Sequence, residues 1–526
     1  MKFFVALAFL AFAGRRLLTY LHIYQQEEYD SRRFLRWLIA RRAFDRRATL
    51  PMLVIGALEF MRVVPGWILG ILAVAAFLGV GFIEKDPRSV GKKKLVMTDR
   101  AKRIYFVAFA LLIAGGLVFV FTSVPLVTMI VLIQLIPFVL AAGNLLTMPY
   151  ENKIQKRFWA EAHAKIRSLK PTVIGITGSY GKTSTKHLLG HILEVQAATL
   201  ITPGSVNTPM GIARVVRERL GSHHRFFVCE MGAYGPGSIA RLCRLAPPDV
   251  AVITAVGMAH YERFRTLETV AKTKFELAEA VATKGGAVIV AEQVLGFEAA
   301  RAFRGRYAEK TIVVGAKPEC EVRIVSSEQT EHGIRAEVSW KGDSYFLKAP
   351  IYGDHHIANM VLAFAAACSL GVAPEDAILA LASVPQISHR LEVKKGPAGA
   401  RIIDDAYNSN PTGFASGLRL LDALRLNSGR RILVTPGMVE LGPAHEEEHR
   451  KIGQLAGNHV DVLLAVVPAR VKPLTDAYAV SNPTGTVMEF PDFAAAHSWL
   501  ERNLSASDVV LLENDLPDLY EKKLQL

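Results

Sequence analysis

Two long uncharged apolar runs constrain this chain more than any other feature. Ile104 to Thr122 carries no charged residue, and Val124 to Leu146 is broken only by Pro125, Thr128, Gln134, Pro137 and Asn144. A bilayer span takes about 20 apolar residues, and in lipid the backbone must satisfy its own hydrogen bonds. Each run is therefore predicted to be a membrane helix, with a buried core helix as the competing reading. Only Ser123 separates them, so the pair reads as a tight hairpin. Gly66 to Ile83 is a third, shorter candidate. Phe3 to Ala13 is too short to span unless its helix continues through Arg15 and Arg16. It also has the length of a signal-peptide core, although no small-residue cleavage site follows it.

Charge orients these helices. The formal net charge is +14, which suits either nucleic acid or an anionic membrane face. Much of it lies beside the apolar runs and no nucleic-acid-binding motif is present, so membrane lipids are the expected partner and nucleic acid is not. The loop before the hairpin carries Lys85, Arg88, Lys92, Lys93, Lys94, Arg100, Lys102 and Arg103. The positive-inside rule makes it cytoplasmic, and the hairpin then returns the chain to the cytoplasm at Tyr150. An earlier loop with Arg32, Arg33, Arg36, Arg41, Arg42, Arg46 and Arg47 is equally basic. If both are inside, Pro51 to Ile83 enters and returns on one side, with Glu59, Arg62 and Pro65 near the bend. A re-entrant loop, a short hairpin and a single span all remain open. Cys229, Cys243, Cys320 and Cys368 show no C-x-x-C spacing, which argues against a zinc or disulfide framework and suits a reducing compartment.

Glu151 to Lys170 reads as a polar helical linker. From Thr172 strands alternate with helices, as in an α/β domain. The stretch from Val173 to Thr185 reads V-I-G-I-T-G-S-Y-G-K-T-S-T. A β-branched strand runs into Gly178 and Gly181, and a helix follows. Backbone N–H groups and a helix dipole at such a junction favour a bound phosphate. Lys182 is placed to reach the β and γ phosphates and the Thr183 hydroxyl to bind Mg²⁺, with Ser184 next in the cradle. Ile176 stands where the common pattern has its first glycine, and a chance glycine turn is the competing reading. A more β-rich insert includes Val322 to Val325 and Ile334 to Trp340. Pro385 to His389 marks a boundary, and a second, smaller α/β unit follows. The expected organisation is a membrane region over 1–150, an ATP-binding α/β domain over 151–386, and a Rossmann-like α/β domain over 387–526. Glu446 to Glu448 and His449 read as a solvated helix start.

From Thr172 onward the chain resembles the Mur ligase family, and within it the branch that joins D-alanyl-D-alanine to a muramyl peptide. The resemblance is carried by I-T-G-S-Y-G-K-T-S-T-K (176–186), N-T-P-M-G (207–211), E-M-G-A (230–233), A-H-Y-E (259–262) and A-K-T-K-F-E-L (271–277). It continues in G-D-H-H-I-A-N (353–359), H-R-L (389–391), D-D-A-Y-N-S-N-P (404–411) and G-M-V-E-L-G (437–442). The resemblance implies ATP-dependent formation of an acyl phosphate on a carboxylate, which an amine then attacks. It implies two Mg²⁺ ions, the first on Thr183 and Glu230, the second on His260 and on Lys274 carbamylated by CO₂. Lys182 and Lys274 become the catalytic lysines, while Lys272 is read as a surface lysine. Asn359 resembles the adenine contact, although His356 stands where the pattern usually has asparagine. Arg390 resembles the γ-phosphate arginine, or else an interdomain ion pair. Asp405 resembles the ribose acid, or else a turn cap.

Two departures bear on substrate. The phosphate-binding strand starts about twenty residues after the last membrane run, where the family has a UDP-sugar domain. L-L-E-N-D-L-P-D (511–518) stands where a basic K-G-S-R-like segment is usual. The implied partners are ATP and small-molecule or lipid-linked carboxylates and amines, at a bacterial cytoplasmic membrane. A membrane-anchored polyglutamate-type ligase and a membrane assembly or transport ATPase are the alternatives.

Overall fold

The computed structural model describes all residues except 90–93, 258–263, 265, 408, 427–428, 440 and 515–526. Lys92, Lys93, His260 with the rest of A-H-Y-E, and the end of L-L-E-N-D-L-P-D lie outside the described residues. The chain divides into two units, Met1–Lys156 and Arg157–Asp515.

The first unit is helical. Helices α1 (Lys2–Gln26), α4 (Gly66–Ile83) and α5 (Asp99–Phe121), with the segment Leu126–Leu169, are long and apolar enough to cross a membrane. Helix α1 does continue through Arg15 and Arg16. Helix α3 (Thr49–Met61) and α4 pack against each other, joined through Arg62–Pro65. Two layers of polar contacts mark the ends of the bundle. At one end Lys2 Nζ donates to the carbonyls of Thr122 and Val124 at 2.7 and 2.8 Å, and Glu59 accepts the Leu126 N–H at 2.8 Å. At the other, buried Arg16 pairs with Asp45 at 2.7 Å and with Glu84 at 3.4 Å. A buried ion pair of this kind ties three segments at one register, because separating any partner strands an uncompensated charge. The short helix α2 (Ser31–Ala40) buries Phe34 against Tyr24, ring centroids 4.9 Å apart, and leaves Arg32 and Arg36 exposed. Helix α6 (Met129–Leu169) runs unbroken through Pro137 and Pro149. The linker expected from Glu151 is therefore its continuation, since the polar stretch keeps high helix propensity.

The second unit carries two sheets. The first has the order β2-β3-β1-β4-β5-β6-β7-β8-β9. Its members are β1 (Thr172–Thr177), β2 (Thr199–Ile201), β3 (Phe226–Glu230), β4 (Val250–Ile253), β5 (Val288–Ala291), β6 (Thr311–Gly315), β7 (Val322–Thr330), β8 (Gly333–Trp340) and β9 (Asp343–Ala349). Strands β1 to β6 pair in parallel; β1 and β3 to β6 are buried on both faces, which accounts for their continuous apolar runs, while edge strand β2 is half-buried. The β-rich insert is the antiparallel extension β7-β8-β9.

The second sheet has the order β10-β11-β15-β12-β13-β14, with β10 (Glu392–Lys395), β11 (Arg401–Asp405), β12 (Arg431–Thr435), β13 (Val462–Val466), β14 (Thr486–Phe490) and β15 (Val509–Glu513). Only β10 is antiparallel. Strands β2, β9, β10 and β14 were not expected. They are short or lie at sheet edges, where exposure removes the apolar signal.

Candidate active site

The site begins where β1 ends. Gly178 has no room for a side chain, because a Cβ there would lie 1.9 Å from Thr254 Oγ1. Gly181 has φ +81°, the left-handed region that glycine adopts without penalty, and caps the start of α7 (Lys182–Glu194). Lys182 Nζ donates to the Gly178 and Ser179 carbonyls at 2.8 and 3.3 Å, so it folds back over the loop it serves. Ser184 is buried in α7 and lies outside the cavity described below.

Parallel pairing sets the next group. Ile176 and Glu230 are register partners of β1 and β3, which brings the Glu230 carboxylate to the first turn of α7. Thr183 Oγ1 donates to Glu230 Oε2 at 2.9 Å, Asn207 Nδ2 donates to Oε1 at 3.1 Å, and Lys186 Nζ lies 3.2 Å from Oε2. Burial alone would raise the Glu230 carboxyl, but Lys182 and Lys186 outweigh it and hold it below its ordinary value. A hydroxyl and an ionised carboxylate side by side at a phosphate loop are hard oxygen donors, and they fit Mg²⁺.

Lys274 sits on the helix Leu267–Ala282, 3% exposed, and among the described residues it has no hydrogen-bond or ion-pair partner. Burial, and then the charge of Lys182, push its amine well below the ordinary lysine value. Lys272, two residues earlier, is exposed as expected.

Asn359 lies on the helix His355–Ser369 beneath the phosphate loop. It accepts from Thr185 Oγ1 at 3.3 Å, and its Oδ1 would meet a Cβ on Gly181 at 2.3 Å. Arg390 stacks over the Tyr407 ring, 4.6 Å from its centroid. These two and Thr183, His187, Ser205 and Ser388 line a cavity of about 540 Å³, within the range of small-molecule sites. Asn359 and Asp405 do not line it. Asp405 is buried, accepts the Leu391 N–H at 3.3 Å, and is the register partner of Glu513 across β11 and β15. Burial pushes both carboxyls up, and the Asp405 charge adds to the rise at Glu513.

Three residues had no role assigned from sequence. Lys186 is a fully buried partner of Glu230; a lysine four residues after Lys182 on an apolar helix face was the available signal. Asp354 accepts from Ser416 at 2.6 Å and pairs with Arg419 at 2.5 Å, latching the two α/β domains. His449 corrects the expectation of a solvated helix start. Glu446 and Glu447 are exposed, but His449 is buried and its Nε2 accepts the Met438 N–H at 3.0 Å, because the helix turns that face toward the G-M-V-E-L-G loop. His389, Glu392 and Asp404 also converge, but Lys394 already pairs with Asp404 at 2.5 Å.

The family model for the Mur ligase middle domain matches residues 176–367, and that for the Mur ligase, glutamate ligase domain matches residues 389–513. The UDP-N-acetylmuramoyl-tripeptide--D-alanyl-D-alanine ligase of Bacillus subtilis is 32% identical over 292 residues, covering 56% of this chain and 62% of its own length. That of Mycobacterium tuberculosis is 32% identical over 365 residues, covering 65% and 70%. The chain thus spans under two thirds of the Bacillus relative. The MurF ligase of Thermotoga maritima, solved in complex with ADP, is 25% identical with a TM-score of 0.59, over 70% of this chain and 82% of that one. Both family domains fall in order on the two sheets just described, and the phosphate loop, Glu230 and Lys274 lie together in the first: the chain belongs to the Mur ligase family.

Proposed function

We propose that this chain is an ATP-dependent amide ligase that acts in peptidoglycan-precursor synthesis and is held at the bacterial cytoplasmic membrane by its first unit. The observation that carries the reading is Lys274, a buried amine without a partner among the described residues, whose charge interaction is with Lys182 of the phosphate loop. An ATPase that uses its loop for motion has no need of such a group. A neutral amine is the form that takes up CO₂: Nζ bonds to the carbon, a proton leaves, and a carbamate anion results.

Thr183 and Glu230 would hold one Mg²⁺. The Lys274 carbamate, with His260 outside the described residues, would hold the second. Bound Mg²⁺ supplies charge neutralisation between the γ-phosphate and the carboxylate to be activated. Lys182 and Arg390 add fixed positive charge to the same end. The carboxylate oxygen attacks the γ-phosphorus and ADP leaves; the amine then attacks the acyl carbon, phosphate leaves, and the amine loses a proton. The Asp354 latch draws the two domains together over the nucleotide and helps exclude water. The ADP-bound Thermotoga relative supports the nucleotide, and the names of the curated relatives support the substrate class.

The membrane assignment is supported by Phe60, Phe82 and Phe121, which are 89%, 87% and 83% exposed on the helical unit. Large rings so placed suit lipid better than water. The basic loops support a cytoplasmic position for the end that carries them and for Tyr150. The test is phosphate release by the full chain against a panel of amines with UDP-linked and lipid-linked muramyl peptides, with the amide product identified by mass. ATP turnover that no carboxylate–amine pair stimulates would favour the transport reading, and glutamate addition to a polyglutamate acceptor the polymer reading.

A further inference from the structure

Lys186 lies one turn beyond Lys182 and is fully buried. Its ammonium lies 3.2 Å from Glu230 Oε2 and donates to the Gly204 carbonyl. The carboxylate proposed to hold the first Mg²⁺ is therefore already neutralised by a lysine that cannot turn to solvent. The charges around it are unequal. Lys182, Lys186 and Arg390 all act on this site, and among the described residues Glu230 is the acid in direct contact with the two lysines' loop and helix. Asp405 faces Arg390 from the second domain. His187 adds no charge near neutral pH, since burial and then Lys186 push its ring down to about 4.

We infer that Lys186 makes metal binding conditional on nucleotide. This rests on the reading of Thr183 and Glu230 as metal ligands. Without a triphosphate, Lys186 occupies Glu230 and Lys182 adds a second positive charge beside it, so a divalent cation is disfavoured there. A triphosphate brings about four negative charges, offsets the lysines, and lets the cation share Glu230. Lys186 is thus a positioning residue that imposes an order, nucleotide with or before metal.

The test uses the full chain in nanodiscs, with Mn²⁺ as probe. Free Mn²⁺ is counted by EPR, with and without AMP-PNP. The wild type should bind Mn²⁺ at least tenfold more tightly with AMP-PNP than without. Lys186→Gln keeps a donor toward Glu230 and Gly204 but drops the charge. It should bind Mn²⁺ alone about tenfold more tightly, and AMP-PNP in EDTA about tenfold more weakly. Opposite signs separate a charge effect from damage, which would weaken both. An unchanged Mn²⁺ affinity in Lys186→Gln, or a loss of both affinities together, overturns the inference. If that variant does not fold, the wild type still decides: Mn²⁺ binding that ignores AMP-PNP overturns it. No Mn²⁺ binding by the wild type even with AMP-PNP overturns the metal-ligand reading itself, and this inference with it.

Discussion

Lys274→Met should raise stability and abolish ligation. Lys274 is 3% exposed on the helix Leu267–Ala282, and nothing among the described residues pairs with its amine. A buried polar group left unsatisfied costs about 1–3 kcal/mol, and an apolar side chain of similar length removes that cost. Methionine fills similar space with a flexible thioether, so little packing is lost. Stability of the second unit should rise by about 1–3 kcal/mol, a shift in Tm on the order of 2–5 °C. Turnover should fall by about 100-fold or more, the size of effect seen when a transition-state charge stabiliser is removed. Two assays read this: thermal unfolding in CO₂-free buffer, and amide formation with and without bicarbonate. Bicarbonate should raise wild-type activity and leave Lys274→Met alone. Lys274→Ala, which vacates the space, should regain part of its activity from added short-chain carboxylates. Near-normal ligation by Lys274→Met, or wild-type activity indifferent to bicarbonate depletion, would refute the carbamate argument. A destabilised Lys274→Met would show that the amine has a partner in the fold.

Three further outcomes are expected. Lys182→Ala should lose ATP turnover while the protein stays folded and membrane-bound, checked by phosphate release and by flotation with vesicles; near-normal turnover would remove the phosphate-cradle reading. A chain lacking the residues before Glu151 should be largely soluble and still bind ATP, because the second unit contains its own two sheets; aggregation with no nucleotide binding would count against it. Burial pulls the His449 ring down to about 4, below its ordinary 6.5. The unfolded chain therefore binds more protons between those values, and the stability from neutral His449 is complete above pH 6.5 and lost as pH falls toward 4. The window is worth about 3 kcal/mol. His449→Gln should be less stable at pH 7, with the gap to wild type narrowing by pH 5 in urea unfolding; a gap that stays constant would show that His449 does not titrate in that window.

The sequence by itself determined most of the buried elements and the local chemistry of the phosphate loop, but not the edge strands β2, β9, β10 and β14. The apolar runs were legible as helices from their length and hydropathy, and helices stand there. The turn from Gly178 to Thr183 is legible because each residue type there answers a local demand: no Cβ near Thr254, a positive φ at Gly181, a hydroxyl and an amine at a helix start. Family motifs singled out Glu230, Lys274, Arg390 and Asp405 as expectations, and of these Arg390 lines the cavity.

What only the tertiary structure decided depends on pairing between distant segments. That Glu230 meets Lys186 follows from the parallel register of β1 and β3, which no local pattern encodes. His449 looked solvated because three glutamates precede it, yet its face of the helix closes on the Met438 loop. Helix α3 packs on α4, and the burial of Arg16 against Asp45 and Glu84 likewise joins segments far apart in sequence. In each case composition states what a residue costs to bury, and only the fold states what it is buried against.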